Sequence, residues 1–322
     1  MKILKHDEEK FLDMVKKAET IAICSHINPD GDAVGSAIGL HYALKSLGKK
    51  VYLIKNDPFP TNLTFMKDRD CYYEGHPIAT DLFIVVDVAG IERIGSAAAF
   101  FELAEDSLCI DHHKTNGGFC KENIIYPEAS STCEIIASIL EDLDLEVTPT
   151  AASFLYLGML TDSYRFQYES TSPDTLRRAA FLLEKGADKM YINNNLYETL
   201  DYRYLLLQAE VIKEAYFNED KTIVIGRLTK DTLKKYGQDF DTAESLVSIL
   251  KSIDGIELAC LVKEDSKDGK DQKLSFRSKT TIDVAEIAQE YGGGGHVRAA
   301  GATVKNMSNI DVYNMMIERL TK

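Results

Sequence analysis

The stretch TIAICSHINPDGDAVGSAIGLHYALKSLG, residues Thr20–Gly48, decides the fold of the first half of the chain. A short apolar run ends at Cys24, a loop rich in turn residues follows, and a run of small and apolar residues then continues to a terminal glycine, as in a buried helix. Three further short apolar runs, in KKVYLIKN, DLFIVVDV and SLCIDHH, have the composition of strands buried on both faces, as parallel sheets require. This alternation predicts an α/β, doubly wound domain with a mainly parallel sheet.

Three more helices are predicted in the first half of the chain, at SSTCEIIASILEDL, TPTAASFLYLGMLTDS and SPDTLRRAAFLLEKGA. Thr148 followed by Pro149 is typical of an N-cap with proline at the first helical position. Ser131 and Glu134 fit the S-x-x-E capping box, which indicates a structural role for this serine-rich segment.

The pattern changes near residue 187. Residues 1–186 form the predicted catalytic domain, and 187–216 read as helix without strands, which predicts a connector. Residues 217–322 combine strand-like KTIVIGRLT, IELACLVKE and KLSFRSK with helical TAESLVSILKSI and a final amphipathic helix, so we expect a smaller α/β domain there. The polar segment DSKDGKDQ between two of these strands predicts a hairpin turn.

The composition narrows the class of partner. A net charge of −14 disfavours binding to duplex DNA, which requires a broad basic face. No apolar run is long enough to cross a bilayer and no signal peptide is visible, so we expect no membrane partner. The six cysteines form no C-x-x-C pair, which predicts free thiols in a reducing cytoplasm rather than zinc or disulfides. A small phosphorylated substrate and a homodimer both remain compatible with this charge.

Residues that can bind metal follow three of the predicted strands. These residues are His26, Asp30 and Asp32 after the first strand, Asp87 after FIVV, and Asp111, His112 and His113 after LCI. Asp162 follows the helical run FLYLGMLT and is a further candidate. Because ligands bind outside the carboxyl ends of the strands in an open α/β sheet, we expect these side chains to converge.

Carboxylates this close together cannot all ionise without a compensating cation. A mixed set of carboxylates and imidazoles without thiolates suits Mn²⁺ or a similar divalent ion better than structural zinc. The number of ligands predicts two ions that share a carboxylate, at the separation of about 3.5–4 Å found in two-metal hydrolases.

A second signal lies in YGGGGHVRAAG, residues Tyr291–Gly301. Consecutive glycines let backbone N–H groups approach an anion closely, and His296 adds a side-chain donor. Arg277, in the strand-like LSFRS, offers a bidentate partner for a phosphate. A flexible turn or a helix stop is the alternative interpretation of the glycine run.

These motifs resemble the DHH phosphoesterase superfamily, which is named for the triplet seen here at residues 111–113. HINPDGDAVGS, VVDVAG, DHHKTN and GMLTDS are similar to its four motifs in order, and GGGGHVRAAG is similar to the signature of the DHHA1 domain. The resemblance runs from Ile21 to Val304, and the two-domain length is most similar to the stand-alone nanoRNase/pAp-phosphatase branch. One departure is Tyr164, which stands where many members have a small residue and bears on the shape of the nucleotide pocket.

The resemblance implies a role for each candidate residue. One Mn²⁺ would be held by His26, Asp30 and Asp87, and the other by Asp32, Asp87, His112 and Asp162. His113 would lie against the scissile phosphate, and Asp111 would orient a neighbouring group. The second domain would grip a substrate phosphate through Arg277, His296 and the backbone of Gly293, Gly294 and Gly295.

The function that this resemblance implies is hydrolysis of short 5′-phosphorylated oligoribonucleotides to nucleoside 5′-monophosphates, and of 3′-phosphoadenosine 5′-phosphate (pAp) to AMP. Two alternatives stay open at this point. The first is a phosphodiesterase for linear or cyclic dinucleotides such as pApA or c-di-AMP. The second, of another class, is a non-catalytic nucleotide- or RNA-binding protein whose metals are structural.

Overall fold

The computed structural model describes residues 3–199, 201–238, 245–265, 270–279 and 282–321. The chain divides into two compact units, Met1–Thr199 and Leu200–Lys322, each with its own six-stranded sheet. Among the described residues, no helix combines the length and the apolar character needed to cross a membrane.

Parallel strands form the sheet of the first unit. They are Thr20–Cys24 (β1), Lys50–Ile54 (β2), Tyr72–Tyr73 (β3), Leu82–Val86 (β4), Asp106–Asp111 (β5) and Glu122–Ile125 (β6). Every pairing is parallel and the order is β3-β2-β1-β4-β5-β6, which confirms the predicted doubly wound architecture. The strand order reverses between β1 and β4, and ligands of such sheets bind in the crevice at that switch point.

Helices cover this sheet. They are Lys5–Lys17 (α1), Gly31–Ser46 (α2), Ala98–Phe101 (α3), Thr132–Asp142 (α4), Pro149–Asp162 (α5), Pro173–Glu184 (α6) and Lys189–Asn193 (α7). The three helices predicted after residue 130 are confirmed as α4, α5 and α6. Ser131 caps α4 by accepting a hydrogen bond from the Glu134 N–H, whereas the Glu134 carboxylate accepts hydrogen bonds from Ser130 instead of closing the predicted capping box.

Glycines allow α2 and α5 to pack closely in opposite directions. A Cβ atom added to Gly35 would lie 2.5 Å from the carbonyl oxygen of Phe154, and one added to Gly31 would lie 2.2 Å from Oγ1 of Thr161. Both separations are too short for a side chain. The close packing places the first turn of α2 beside the last turn of α5, where Asp162 lies.

The second unit has a mixed sheet. Its strands are Tyr216–Phe217 (β7), Ile223–Leu228 (β8), Leu258–Glu264 (β9), Gln272–Ser278 (β10), Gly294–His296 (β11) and Ala299–Val304 (β12), in the order β11-β12-β10-β9-β8-β7. Only β8 and β9 pair in parallel. Its helices are Tyr202–Glu214 (α8), Lys230–Lys235 (α9), Leu246–Ser252 (α10), Val284–Gln289 (α11) and Asn309–Leu320 (α12). The predicted smaller α/β domain is thereby confirmed.

Parts of three predicted segments lie outside the described residues. Residues 266–269 of the predicted hairpin turn are among them, although β9 and β10 on either side pair antiparallel. So are residues 242–244 of the predicted helix that contains α10, and residue 200 of the predicted connector. The described part of the connector comprises α7, a π-helical turn over Asn194–Glu198 and α8. All six cysteines are free thiols.

Candidate metal centre

Three overlapping groups of histidine and aspartate side chains meet where the strands of the first sheet end. The groups are His26, Asp30 and Asp87; Asp32, His112 and Asp162; and Asp87, His112 and His113. Within each group, one ligand atom from each residue lies within 4.8 Å of the others. The structure therefore brings together all six residues predicted to ligate metal and adds His113 to the set.

Asp87 lies at the middle of this arrangement. One of its oxygens, Oδ2, is 3.6 Å from Nε2 of His26, and the other, Oδ1, is 3.7 Å from Nε2 of His112. The backbone at Asp87 is left-handed, with φ of 58°, a strained conformation for a residue with a side chain. Thr132 donates a hydrogen bond from Oγ1 to Oδ1 of Asp87 at 3.1 Å. The two oxygens thus face two different imidazoles, as a shared ligand requires.

The loop between β1 and α2 brings its carboxylates to the same place. Asp30 is the N-cap of α2, and its Oδ1 accepts hydrogen bonds from the N–H groups of Asp32 and Ala33 at 3.0 Å. The same oxygen lies 3.9 Å from Nε2 of His26. The turn therefore both starts the helix and aims a carboxylate at the histidine.

Asp32 is held by the first turn of α4. Its two oxygens accept hydrogen bonds from the backbone N–H groups of Thr132, at 2.7 Å, and Cys133, at 3.0 Å. Helix N-termini stabilise anions in this way, because their first N–H groups have no partner within the helix. Nε2 of His112 lies 3.9 Å from Asp32 Oδ2 and 3.6 Å from Asp162 Oδ2. Sequence reasoning gave the segment before α4 a structural role only and missed these contacts.

Backbone carbonyls fix the orientation of the two histidines. Nδ1 of His26 lies 2.8 Å from the Ile27 carbonyl oxygen, and Nδ1 of His112 lies 3.4 Å from that of Ala129. A ring that donates from Nδ1 keeps the lone pair of Nε2 for a metal ion. A guanidinium nitrogen of Arg93 also lies 3.2 Å from His26 Nδ1. Arg93 follows the second motif and was not identified from the sequence, because nothing local indicates its approach to His26.

Electrostatics of the group call for a cation. Burial, followed by the charges of Asp32 and Asp30, raises the pKa of Asp87 well above its usual range. Burial is also the main cause of the raised pKa of Asp32, and of that of Asp162, which rises to about 8. Carboxylates in this setting ionise together only beside a compensating positive charge. A donor set of carboxylates and imidazoles without thiolates fits divalent ions such as Mn²⁺.

Asp111 has a different environment from the other acidic residues. It is fully buried, its Oδ1 lies 2.7 Å from Nδ1 of His113, and its Oδ2 accepts a hydrogen bond from the Asn116 amide at 2.8 Å. The bond to Asp111 raises the pKa of His113. Burial acts to raise the pKa of Asp111, but hydrogen bonds from His113 and Asn116 outweigh it and lower that pKa. Asp111 belongs to none of the three groups and is placed to orient His113.

Arg277 and His296 lie in the same row of the second sheet. Arg277 on β10 and His296 on β11 are both paired with Ala299 of β12, which runs between them. Directly paired residues on neighbouring antiparallel strands point to the same face, and two strand spacings separate the backbones by roughly 10 Å. His296 is exposed and Arg277 is half-buried. Arg277 donates a hydrogen bond from one guanidinium nitrogen to the Phe276 carbonyl oxygen at 2.9 Å.

The glycines of residues 293–295 differ in whether the fold requires them. A Cβ atom on Gly293 would lie 2.1 Å from the Gly301 carbonyl oxygen, and Gly295 has φ of 147° and no room beside Ala299. Both glycines are therefore required by the close pairing of β11 with β12. A Cβ atom on Gly294 would meet nothing within 4 Å, so the pairing of the two strands does not require glycine at this position.

Arg277 is one of three cations whose charges act on Lys251. Burial lowers the pKa of Lys251, and the charges of Arg277, Lys279 and Arg298 lower it further. These four side chains form a basic cluster in a chain of net charge −14. Sequence reasoning identified only Arg277 of these four, because Lys251 joins the others through the fold, on α10.

Comparisons with known proteins agree with this architecture. A model of the N-terminal domain of the DHH family matches residues 20–159, and a model of the DHHA1 domain matches residues 220–322. A Thermus thermophilus protein named bifunctional oligoribonuclease and PAP phosphatase NrnA is 31% identical over 302 residues, 92% of this chain and 88% of the relative. A Bacillus subtilis protein of the same name is 29% identical over 314 residues, 94% and 95% of the two chains.

The same architecture is found in a solved structure. The crystal structure of an exopolyphosphatase-related protein from Bacteroides fragilis superimposes with a TM-score of 0.86 at 27% identity, over 99% of this chain and 97% of that chain. The resemblance drawn from the sequence motifs is thereby confirmed. The chain belongs to the DHH family of phosphoesterases, with an N-terminal DHH domain and a C-terminal DHHA1 domain.

Proposed function

We propose that this chain is a two-metal phosphoesterase that hydrolyses short 5′-phosphorylated oligoribonucleotides to nucleoside 5′-monophosphates, and pAp to AMP, in the cytoplasm. The observation that carries the proposal is the position of Asp87, whose two oxygens face His26 and His112 in separate ligand groups. The names of relatives at about 30% identity over most of the chain support the choice of substrates.

Two divalent ions, Mn²⁺ by preference, are assigned to the site. The first would be held by His26, Asp30 and Asp87, and the second by Asp32, Asp87, His112 and Asp162. When bound, the ions supply an activated water and offset charge on the phosphoryl oxygens. The carbonyls of Ile27 and Ala129 would hold the two imidazoles with Nε2 toward the ions.

His113 would act on the substrate itself. Its Nδ1 proton is held by Asp111, so the ring keeps a fixed orientation and its Nε2 is left for a substrate oxygen. The raised pKa of His113 favours the protonated ring, which can stabilise charge on the phosphate or give a proton to the leaving group. Asn116 completes the arrangement by fixing the second oxygen of Asp111.

The second unit would select the substrate by its terminal phosphate. Arg277 and His296 would present donors on one face of the sheet, and charge-assisted hydrogen bonds from such groups suit a 5′-phosphate. The rest of the basic cluster would strengthen the attraction for this dianion. The backbone of Gly293, Gly294 and Gly295 would add N–H donors of the kind that anion sites use.

The test is release of mononucleotide from 5′-phosphorylated di-, tri-, penta- and decaribonucleotides, with Mn²⁺ and with EDTA. The expected result is Mn²⁺-dependent hydrolysis that is fastest for the shortest RNAs and is accompanied by turnover of pAp. Reactions with pApA and c-di-AMP alongside compare the dinucleotide phosphodiesterase alternative by rate. Nucleotide binding without turnover, with two ions bound, would instead favour the non-catalytic alternative and contradict the proposal.

A further inference from the structure

Two exposed tyrosines stack on each other just after the candidate metal ligand Asp162. The rings of Tyr164 and Tyr168 are 5.2 Å apart between centroids and only 14° from parallel. Tyr164 is 50% exposed and Tyr168 is 54% exposed. Two residues of chain span at most about 7 Å, so the Cα atom of Tyr164 lies close to that of Asp162.

The turn that exposes Tyr164 has a strained backbone. Tyr164, Arg165 and Phe166 have φ of 48°, 62° and 61°, and three bulky residues in succession in the left-handed region are uncommon. The Arg165 N–H donates to the Leu160 carbonyl at 2.8 Å, and the Phe166 N–H donates to Oγ of Ser163 at 3.0 Å. These bonds hold a strained turn at the end of α5. Strain of this kind clusters at binding and catalytic sites.

The neighbours of Tyr164 are anchored inward. Phe166 packs against the core, with its ring 6.1 Å from that of Tyr156. The guanidinium of Arg165 lies over the ring of Tyr197, 3.7 Å from its centroid. The exposure of Tyr164 is therefore imposed by a turn fixed on both of the following residues, and it is not the result of a loosely packed loop.

We propose that the Tyr164–Tyr168 pair is a stacking platform for the base of the nucleotide whose phosphate lies at the metal centre. The inference rests on the proposed function, since it assumes a nucleotide substrate. An aromatic face accepts any base, because every base has a π-face, so the platform contributes affinity without sequence preference. The pair follows Asp162 in the chain, and the Cα atom of Tyr164 lies at most about 7 Å from that of this candidate ligand.

The experiment removes the ring and the base separately. The variants are Tyr164→Ala, Tyr164→Phe and, as a matched exposed tyrosine on α8, Tyr202→Ala. Each is assayed with Mn²⁺ on a 5′-phosphorylated diribonucleotide and on the same molecule with the base beside the scissile phosphate removed. Stacking of one base on an aromatic side chain changes the affinity by roughly 5- to 150-fold. Tyr164→Ala should therefore lower kcat/KM for the intact dinucleotide by a factor in this range. On the abasic substrate it should equal the wild type, and Tyr164→Phe and Tyr202→Ala should match the wild type on both.

Equal losses on both substrates, or no loss on either, would overturn the platform while leaving the proposed function intact. A change in oligomeric state with unaltered dependence on the base would overturn it in favour of a subunit contact. Failure of the wild type to hydrolyse either dinucleotide would count against the proposed function instead. Calorimetry with AMP and with ribose 5-phosphate then tests the platform without turnover. The wild type should bind AMP more tightly than ribose 5-phosphate, and Tyr164→Ala should not. A preference for AMP that this substitution leaves unchanged would overturn the platform.

Discussion

The metal centre of the first unit and the predicted phosphate site at Arg277 and His296 in the second are built in opposite ways. Asp32 and Asp87 are almost wholly buried, and each is held by hydrogen bonds from α4. His296, in contrast, is exposed beside the small residues of the last two strands. The first site concentrates like charges at a cost that only a cation can offset. The second places two donors, Arg277 and His296, in one row of a sheet, where a phosphate could bind and leave.

The two sites also differ in the step that each would serve: the reaction at the scissile phosphate or the selection of the substrate. Groups placed at fixed positions by a buried parallel sheet are suited to the reacting atoms, where small displacements are costly. Groups on one face of a mixed sheet, such as Arg277 and His296, are suited to binding a remote part of the substrate. Substitutions in the two sites should therefore differ both in size and in the kinetic constant affected.

The largest effect is expected for Asp87→Asn. This substitution removes the one ligand that both ions would share, so kcat should fall by more than the roughly 100- to 1,000-fold typical of losing a single electrostatic contact. The control is Asp106→Asn, a half-exposed carboxylate at the opposite, amino end of the same sheet. Steady-state hydrolysis of a 5′-phosphorylated dinucleotide measures both variants, and equal rates for the two would refute the role of Asp87.

A smaller loss is expected for Asn116→Ala. The variant would free one oxygen of Asp111 and loosen the orientation of His113, and outer-shell contacts of this kind are typically worth about 10- to 100-fold. The Mn²⁺ content should be unchanged, because Asn116 contacts none of the assigned ligands. The matched control is Asn123→Ala. Asn123 lies on β6, and its side-chain amide is hydrogen-bonded to the backbone of Cys120. Loss of bound metal along with activity would show that Asn116 supports the ligands instead.

Arg277→Ala should act on binding alone. Losing a hydrogen bond to a charged group weakens binding by about 10- to 100-fold. KM for 5′-phosphorylated substrates should therefore rise by this factor, with kcat nearly unchanged. Arg227→Ala, on β8 of the same sheet and near the Tyr313 ring, serves as the control. Substrates that lack the 5′-phosphate should not distinguish Arg277→Ala from the wild type. An equal loss on those substrates would contradict the assigned role.

The smallest effect is a pH dependence of the metal-free protein. Folding raises the pKa of Asp162 from 3.8 to about 8, so the folded state binds more protons than the unfolded state between these values. Stability should therefore be greatest below about pH 4 for this group and fall as the pH rises through 8. The unfolding temperature of the first unit should drop by at least about 3 °C over this window, and Mn²⁺ should restore it. Thermal scans over this pH range, with EDTA and with Mn²⁺, measure the unfolding temperature. If the unfolding temperature of Asp162→Asn falls as steeply with pH as that of the wild type, Asp162 is not the cause.

Much of the first unit could be predicted from the sequence, because strands buried on both faces leave continuous apolar runs and their polar ends mark one edge of the sheet. The short strands β3 and β6 were missed, since two to four residues at a sheet edge leave too weak a pattern. Thr132, Arg93 and Asn116 were also missed as parts of the site. Thr132 and Arg93 reach the site from distant positions in the chain, and the Asn116 side chain turns back to Asp111, five residues earlier, so only the folded structure shows these contacts.

The central claim is that Asp87 is shared by two metal ions, and the most direct test is the Mn²⁺ content and electron paramagnetic resonance spectrum of the loaded protein. Two ions per chain are expected, with the spin coupling of ions about 3.5–4 Å apart. The coupling should disappear in Asp87→Asn and persist in Asp106→Asn. A wild-type enzyme that turns over at full rate with one ion, or with two magnetically independent ions, would contradict it.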